Sequence, residues 1–75
     1  MLIEEKIGKR IKQLREEKKL TQEALAWRAD VDRTYMNHVE NAKRNVTLKS
    51  LEKIIIHGLE CSLTEFFNDK MFSKK

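Results

Sequence analysis

Residues 21–41 read TQEALAWRADVDRTYMNHVEN, and they contain two short amphipathic segments separated by about three residues. Thr21 offers a hydroxyl that can cap a first helix, in which small apolar residues dominate. Asp32 offers a carboxylate that can cap a second helix, which is polar on one side. We therefore predict two short helices joined by a tight turn.

The inward positions of both predicted helices carry residues suited to close packing. Ala26 falls where the two helices cross, so its methyl group allows an approach that a larger side chain would block. Apolar side chains occupy the other positions that fix the crossing angle, namely Leu25, Ala29, Val31, Met36 and Val39. This arrangement is a helix-turn-helix unit over about residues 21–41. The alternative for the same residues is a plain helical hairpin in a bundle.

The rest of the chain also favours helices. Proline is absent and glycine occurs only at Gly8 and Gly58, so tight hairpins lack their usual turn residues. Thr47 can cap a fourth helix, and Ser62 can cap a C-terminal helix over about residues 62–71. The N-terminal helix of the chain is predicted by an apolar stripe that consists of Ile3, Ile7, Ile11 and Leu14. We expect an all-α fold, a compact five-helix domain that occupies residues 1–75 as a single unit.

The charge balance favours a polyanionic partner. Sixteen Lys and Arg residues outweigh twelve Asp and Glu residues, which gives a formal net charge of +4. Lys and Arg bind phosphates with release of condensed counterions, so DNA is the first partner to consider. Most of the excess positive charge lies on the N-terminal helix, where we expect a solvated face that attracts DNA without contacting specific bases.

Several other classes of protein fit the sequence poorly. A single cysteine allows no intramolecular disulfide, which favours a cytoplasmic protein, and no apolar run approaches the length of a membrane span. His57 and Cys61 lie four residues apart, but only His38 remains as a third ligand. We therefore expect no metal, no other cofactor and no small-molecule ligand, and we expect Cys61 to be a small buried hydrophobe. Without a glycine-rich phosphate loop or a nucleophile with its base and acid, an enzyme is not expected.

The outer face of the second helix of the unit is the candidate for reading DNA bases. A major groove about 12 Å wide admits one α-helix. With Met36 and Val39 facing inward, the side chains left for base edges are Arg33, Thr34, Tyr35, Asn37 and His38. Arg33 is the strongest candidate for sequence discrimination, because a guanidinium can donate two hydrogen bonds to guanine. The alternative for Tyr35 is a half-buried position in the core.

Two groups of polar residues are candidates for contacts with the DNA backbone. Gln22 begins the first helix of the unit, beside exposed backbone N–H groups and the positive end of the helix. The second group surrounds the predicted start of the fourth helix and consists of Lys43, Arg44, Asn45, Thr47 and Ser50. We expect one backbone clamp on each side of the groove.

Apolar residues near the C-terminus favour a homodimer. Phe66 and Phe67 are adjacent and point about 100° apart on a helix, so we expect one of them to meet a partner. Ile56 lies on the same side of the fourth helix as charged residues and would otherwise be an exposed apolar side chain. We predict a two-fold dimer with Ile56, Phe66 and Phe67 at its interface, and a near-palindromic DNA target. Trp27 has no assigned role.

The chain resembles the Cro and phage-repressor-like helix-turn-helix superfamily, of the xenobiotic-response-element type, over about residues 7–67. The controller proteins of type II restriction-modification systems are most similar, on the strength of DRTY at 32–35, Glu40, RNVTL at 44–48, SLE at 50–52 and FF at 66–67. The resemblance implies a lambda-repressor-like fold. Two usual glycines are replaced, by Asp30 in the turn and by Ala42 after the second helix of the unit. Asp tolerates the left-handed conformation, whereas Ala42 predicts a different path for its loop.

These observations predict a sequence-specific DNA-binding transcription regulator that binds a near-palindromic operator as a homodimer. The resemblance implies further that the protein controls its own gene and a restriction endonuclease gene, with RNA polymerase as a further candidate partner. The alternatives are a phage or mobile-element repressor of the same fold and an antitoxin-like protein-interaction module.

Overall fold

The computed structural model describes residues 1–73, and the regular secondary structure of this part of the chain is entirely helical. The all-α prediction is confirmed, and the two helices of the predicted unit are both present. The elements are α1 (Ile3–Glu17), α2 (Gln22–Ala29), α3 (Arg33–Glu40), α4 (Leu48–Lys53) continuing into a π-helical turn (Ile54–Gly58), α5 (Leu63–Phe67) and α6 (Lys70–Ser73).

Side-chain caps start four of these helices, as the sequence predicts. The hydroxyl of Thr21 accepts a hydrogen bond from the Ala24 backbone N–H at 3.0 Å. Asp32 caps α3, Thr47 caps α4 and Ser62 caps α5 in the same way. Each cap satisfies a backbone donor that the first turn of a helix leaves without an intrahelical partner. The starts of these helices are therefore encoded locally.

The predicted C-terminal helix over residues 62–71 is divided in the structure. Arg10 lies across the end of α5, where its guanidinium donates to the Phe66 carbonyl at 2.7 Å and to the Glu65 carbonyl at 3.0 Å. The Asp69 carboxylate then accepts from the Met71 backbone N–H at 3.0 Å and starts α6. The prediction of a single helix is wrong, because these contacts end α5 at Phe67 and begin a new helix at Lys70, after two intervening residues.

The core lies between α1, the α2–α3 pair and the π-helical turn. Its completely buried side chains are Ile11, Leu25, Met36, Ile54, Ile55, Leu59 and Phe66. Three of the four residues in the predicted stripe of α1 are buried, whereas Ile3 is 61% exposed because it is the first residue of the helix and extends past the core. Cys61 is buried as predicted, and this burial raises the pKa of its thiol.

Close helix contacts fix the position of α3. A Cβ atom added to Gly8 of α1 would lie 2.6 Å from the Val39 carbonyl oxygen and 2.7 Å from that of Glu40. Only glycine allows α1 to approach the end of α3 this closely. On the other side of the molecule, a Cβ at Gly58 would lie 2.7 Å from the Leu25 side chain, so the π-helical turn packs directly on α2.

Non-glycine residues in the left-handed conformation end several helices. Asp30 has φ 57° and ψ 47°, which confirms that aspartate sustains the tight turn between α2 and α3. Ala42 also has a positive φ of 57°. The prediction that Ala42 diverts the loop is therefore wrong: alanine adopts the conformation that glycine would take and bears the strain of its Cβ atom.

Among residues 1–73, no helix combines the length and the apolar character that crossing a bilayer requires.

Candidate DNA-binding surface

The outer face of α3 carries polar side chains, while its inner face is locked into the core. Met36 is completely buried and Val39 is 2% exposed. Arg33, Thr34 and Asn37 are exposed on the opposite face, as the sequence predicts. Tyr35 and His38 are half-buried at the sides of the helix, which places them at the edges of this face. The helix therefore presents a polar ridge on a rigid base.

A buried carboxylate connects this ridge to α1 and α2. Glu40 is 7% exposed and forms a two-pronged ion pair with Arg15 of α1, at 2.7 and 3.1 Å. The Gln22 amide donates to the same carboxylate at 3.0 Å. The Asn37 side-chain amide in turn donates to the side-chain amide oxygen (Oε1) of Gln22 at 3.2 Å. This network fixes the start of α2 against the outer face of α3.

Sequence reasoning placed Arg10 and Arg15 on the solvated face of the N-terminal helix and used Glu40 only as part of a family pattern. The solvated position is wrong for both arginines, because Arg10 is 8% exposed and Arg15 pairs with the buried Glu40 carboxylate. A usable signal was present, because Glu40 lies four residues after Met36 and therefore on the inward face of α3. A carboxylate on an inward face needs a buried cationic or hydrogen-bonding partner. Arg15 is the arginine that the fold brings to it, from 25 residues away in the sequence.

Tyr35 connects α3 to the loop that follows it. Its ring packs against the hydrophobic core, so the half-buried alternative describes one part of its environment. The Arg44 guanidinium lies 5.6 Å from the centre of the same ring, a cation–π contact. The Tyr35 hydroxyl accepts a long hydrogen bond of 3.4 Å from the Thr47 backbone N–H. Tyr35 therefore holds both the loop and the start of α4 next to α3.

The predicted backbone clamps lie on two sides of this ridge. Gln22 is half-buried at the start of α2, with its side chain held by Glu40 and Asn37. On the other side, the candidates of the loop and of the start of α4 are mostly exposed, with Ser50 half-buried; they are Lys43, Arg44, Asn45, Thr47 and Ser50. The arrangement that the sequence predicts, with polar groups flanking the outer face of α3, is present in the geometry.

The residues predicted for a dimer interface separate into two kinds. Ile56 and Phe67 are each 40% exposed on the surface of the subunit, and their place at a dimer interface stays a prediction. The prediction for Phe66 needs correction, because this ring is completely buried within one subunit and packs on Phe67 with ring centres 4.9 Å apart. Helical spacing predicts Leu48 on the inner side of α4, and this is wrong, because Leu48 is the first residue of that helix and is 87% exposed.

Two other predictions concern side chains away from this surface. Within the described residues, no group of three or more histidine, cysteine, aspartate or glutamate side chains could hold a metal ion. Trp27, to which the sequence assigned no role, is 85% exposed on α2 and thus packs on no other helix of the subunit to any large extent.

The fold and the polar ridge of α3 define a helix-turn-helix protein, and residues 11–66 match the family model described as helix-turn-helix. The chain is 49% identical over 65 residues to the control protein C.MunI of a Mycoplasma species. The matched residues cover 85% of this chain and 86% of that protein. It is also 42% identical over 48 residues to the immunity repressor protein of Bacillus phage phi105, of which this match covers only 33%.

Solved structures of a controller protein show the same fold. C.Esp1396I bound to a 25-base-pair operator site is 42% identical, with a TM-score of 0.84 over 97% of this chain and 92% of that one. The C.Esp1396I tetramer in complex with its natural 35-base-pair operator gives a TM-score of 0.86 with the same identity and coverage. This chain belongs to the controller proteins of restriction-modification systems, a helix-turn-helix family of DNA-binding transcription regulators.

Proposed function

We propose that this protein binds a near-palindromic operator as a homodimer, with α3 of each subunit in a major groove. The observation that carries the proposal is the polar outer face of α3, which the Glu40 network holds rigidly against α1 and α2. A rigid helix can enter a groove without first losing conformational entropy, so its contacts are available for affinity and discrimination.

Base discrimination on this surface comes mainly from Arg33, with Thr34 and Asn37 beside it. Arg33 is the first residue of α3 and is exposed, so its guanidinium can extend to the O6 and N7 atoms of a guanine. Thr34 offers a methyl group to thymine or a hydroxyl to phosphate. Asn37 already donates to Gln22, which leaves its carbonyl oxygen for an amino group of adenine or cytosine. Tyr35 and His38 lie at the edges and contact the flanks of the same half-site.

The DNA backbone is held from both sides of the ridge. Gln22 has a second amide hydrogen for a phosphate, beside the free backbone donors at the start of α2. Arg44 and Lys43 carry positive charge on the opposite side and Asn45 is exposed between the loop and α4. Thr47 and Ser50 add hydroxyl groups at the start of α4. Such contacts contribute affinity that is independent of sequence and falls steeply with salt.

The two subunits of the homodimer contact each other through the surface that includes Ile56 and Phe67. Two-fold symmetry places two copies of α3 about 34 Å apart, which is one turn of DNA. Binding of the second half-site then becomes intramolecular, so two weak contacts combine into a strong one. The dimer in this proposal rests on exposed apolar side chains at the C-terminal end of the subunit.

The regulatory role we propose is control of the protein's own gene and of a restriction endonuclease gene. In this proposal the protein acts in the cytoplasm, where its DNA target lies, has no catalytic activity of its own, and contacts RNA polymerase at the promoter. The phage-repressor alternative has less support, because the match covers 33% of the phage protein against 86% of the control protein.

The test is selection of bound sequences from random duplex DNA. We expect enrichment of a near-palindrome whose half-sites are about 10 base pairs apart, one helical turn from centre to centre. Binding to the selected duplex should weaken steeply between 50 and 200 mM salt, by roughly a thousandfold if at least six phosphates are contacted. Enrichment of no sequence, or an affinity that does not change with salt, would overturn the proposal.

A further inference from the structure

Consecutive hydrogen bonds connect the core of the subunit to the outer face of α3. The buried Glu40 carboxylate accepts from the Gln22 side chain, with 3.0 Å between Glu40 Oε1 and Gln22 Nε2. Gln22 Oε1 accepts in turn from Asn37 Nδ2 at 3.2 Å. Asn37 is exposed on the face that is proposed to enter the groove. We call this chain of Glu40, Gln22 and Asn37 the amide relay.

The direction of the amide relay is fixed at its buried end. Glu40 is a carboxylate held by Arg15, with bonds of 2.7 and 3.1 Å, and a carboxylate only accepts hydrogen bonds. The end of the Gln22 amide that meets Glu40 must therefore be its NH2 group, which turns the Gln22 oxygen towards Asn37. Because that oxygen needs a donor, the NH2 group of Asn37 must face it. Glu40 thus orients both amides.

This orientation decides what Asn37 offers to a base. One hydrogen of its NH2 group is used by Gln22, which leaves the other hydrogen and the carbonyl oxygen for the major groove. Adenine presents the complementary pair there, with its N6 amino group as donor and N7 as acceptor. Guanine presents two acceptors, O6 and N7, so it would place an acceptor against the Asn37 oxygen.

We propose that Glu40 is a positioning residue for base recognition, which acts through Gln22 to make Asn37 select adenine at one position of each half-site. This inference rests on the proposed function, in which α3 occupies the major groove. Glu40 does not touch the DNA in this mechanism. Its carboxylate sets a sequence preference from inside the core, because it determines which end of an exposed amide faces the base.

Replacement of Gln22 by lysine should reverse the direction of the amide relay. An ammonium group only donates, so Gln22→Lys keeps a donor beside the Glu40 carboxylate and adds an opposite charge. The same ammonium group also presents a donor to Asn37, which must then turn its oxygen inward and its NH2 group towards the groove. Two outward hydrogens match the two acceptors of guanine. We therefore expect Gln22→Lys to prefer a G·C pair where the wild-type chain prefers an A·T pair.

The experiment first locates the position that Asn37 reads. Bound sequences are selected from random duplex DNA with the wild-type chain and with Asn37→Ala, and the base pair at which only the wild type has a preference is identified. Dissociation constants are then measured on four duplexes that differ at this base pair alone. We expect the wild-type chain to favour A·T over G·C by roughly 5- to 150-fold, the range for one good bidentate contact, and Gln22→Lys to reverse this order.

Three further variants separate the orientation of Asn37 from other effects of the lysine. Trp27→Lys places a lysine on the same helix at a side chain that is 85% exposed, and it should leave the A·T preference unchanged. Gln22→Lys combined with Asn37→Ala should show no preference at this base pair, because the amide that the lysine orients is absent. Gln22→Ala removes the middle of the amide relay and should bring the two affinities close together, because Asn37 is then able to present either end.

The possible results distinguish this inference from the proposed function. A G·C preference that persists in the double variant would show that the lysine reads the base directly, and would refute the amide relay. An A·T preference that is unchanged in Gln22→Lys or Gln22→Ala, with the circular dichroism spectrum of the wild type, would refute it as well. So would a wild-type preference for G·C at this position, or an Asn37→Ala variant that retains every preference. In all these cases the wild-type chain still binds its operator and the proposed function stands, whereas a wild-type chain that enriches no sequence removes both.

Discussion

Replacement of Glu40 by glutamine tests whether the buried carboxylate holds α1, α2 and α3 together. The Glu40 side chain is 1% exposed and accepts hydrogen bonds from Arg15 at 2.7 and 3.1 Å and from Gln22 at 3.0 Å. Glutamine keeps the size and one carbonyl oxygen, but its amino group faces the Arg15 guanidinium. Hydrogen bonds to charged groups contribute about 1.5 to 3 kcal/mol, so we expect the free energy of unfolding to fall by about 2 to 3 kcal/mol.

The assay is chemical denaturation followed by circular dichroism, with the wild-type chain and a matched surface variant measured in parallel. A domain of this length has an unfolding free energy of roughly 4 to 11 kcal/mol, so the expected loss is large and should lower the melting temperature by about 10 °C or more. Glu60→Gln is the control, because Glu60 meets Arg28 at 3.7 Å with a side chain that is 71% exposed. We expect a change within about 0.5 kcal/mol there. Equal losses for the two variants would refute the structural role of Glu40.

Three further predictions follow from the same structure. Arg33→Ala should weaken operator binding by about 1 to 3 kcal/mol and relax preference at one base, whereas Arg44→Ala should weaken all sequences and reduce the salt slope by about one; equal losses on operator and scrambled DNA for both variants would contradict this division. Ala42→Gly should raise the melting temperature by relieving the positive φ of 57°, with a gain of about 0.5 to 1 kcal/mol, and a loss of stability would refute the strain. Burial raises the pKa of the Cys61 thiol above its usual 9.0, so the stability contributed by the neutral thiol is complete below pH 9.0 and is lost as the pH rises through the higher pKa of the folded state. Cys61→Ala should therefore flatten the fall of the unfolding free energy at alkaline pH, and an unchanged slope would contradict this prediction.

The helix-turn-helix unit could be predicted because its determinants are local. Thr21 and Asp32 each cap a helix from the residue directly before it, and Met36 and Val39 show which side of α3 faces inward. The same inward pattern left Arg33 and Asn37 on the outside, where the structure places them. These features depend on neighbours in the sequence, which a single chain already contains.

The features that sequence reasoning missed depend on residues far apart in the chain. The division between α5 and α6 requires Arg10, which is 56 residues before the Phe66 carbonyl that it binds. The pair of Arg15 and Glu40 joins positions 25 residues apart. Helical spacing shows that Phe66 and Phe67 point in different directions, but the depth of α5 in the core decides which of them is buried.

The separation of the two faces of α3 has a consequence for the evolution of these regulators. Glu40, Met36 and Val39 maintain the framework, whereas Arg33 and Thr34 project from it with their side chains exposed. In the proposed mode of binding, exchange of those outer residues should alter which operator is preferred, at little risk to folding. Two restriction-modification systems that enter the same bacterium can therefore acquire separate regulatory circuits through a few substitutions on one exposed helical surface, while the scaffold beneath stays the same.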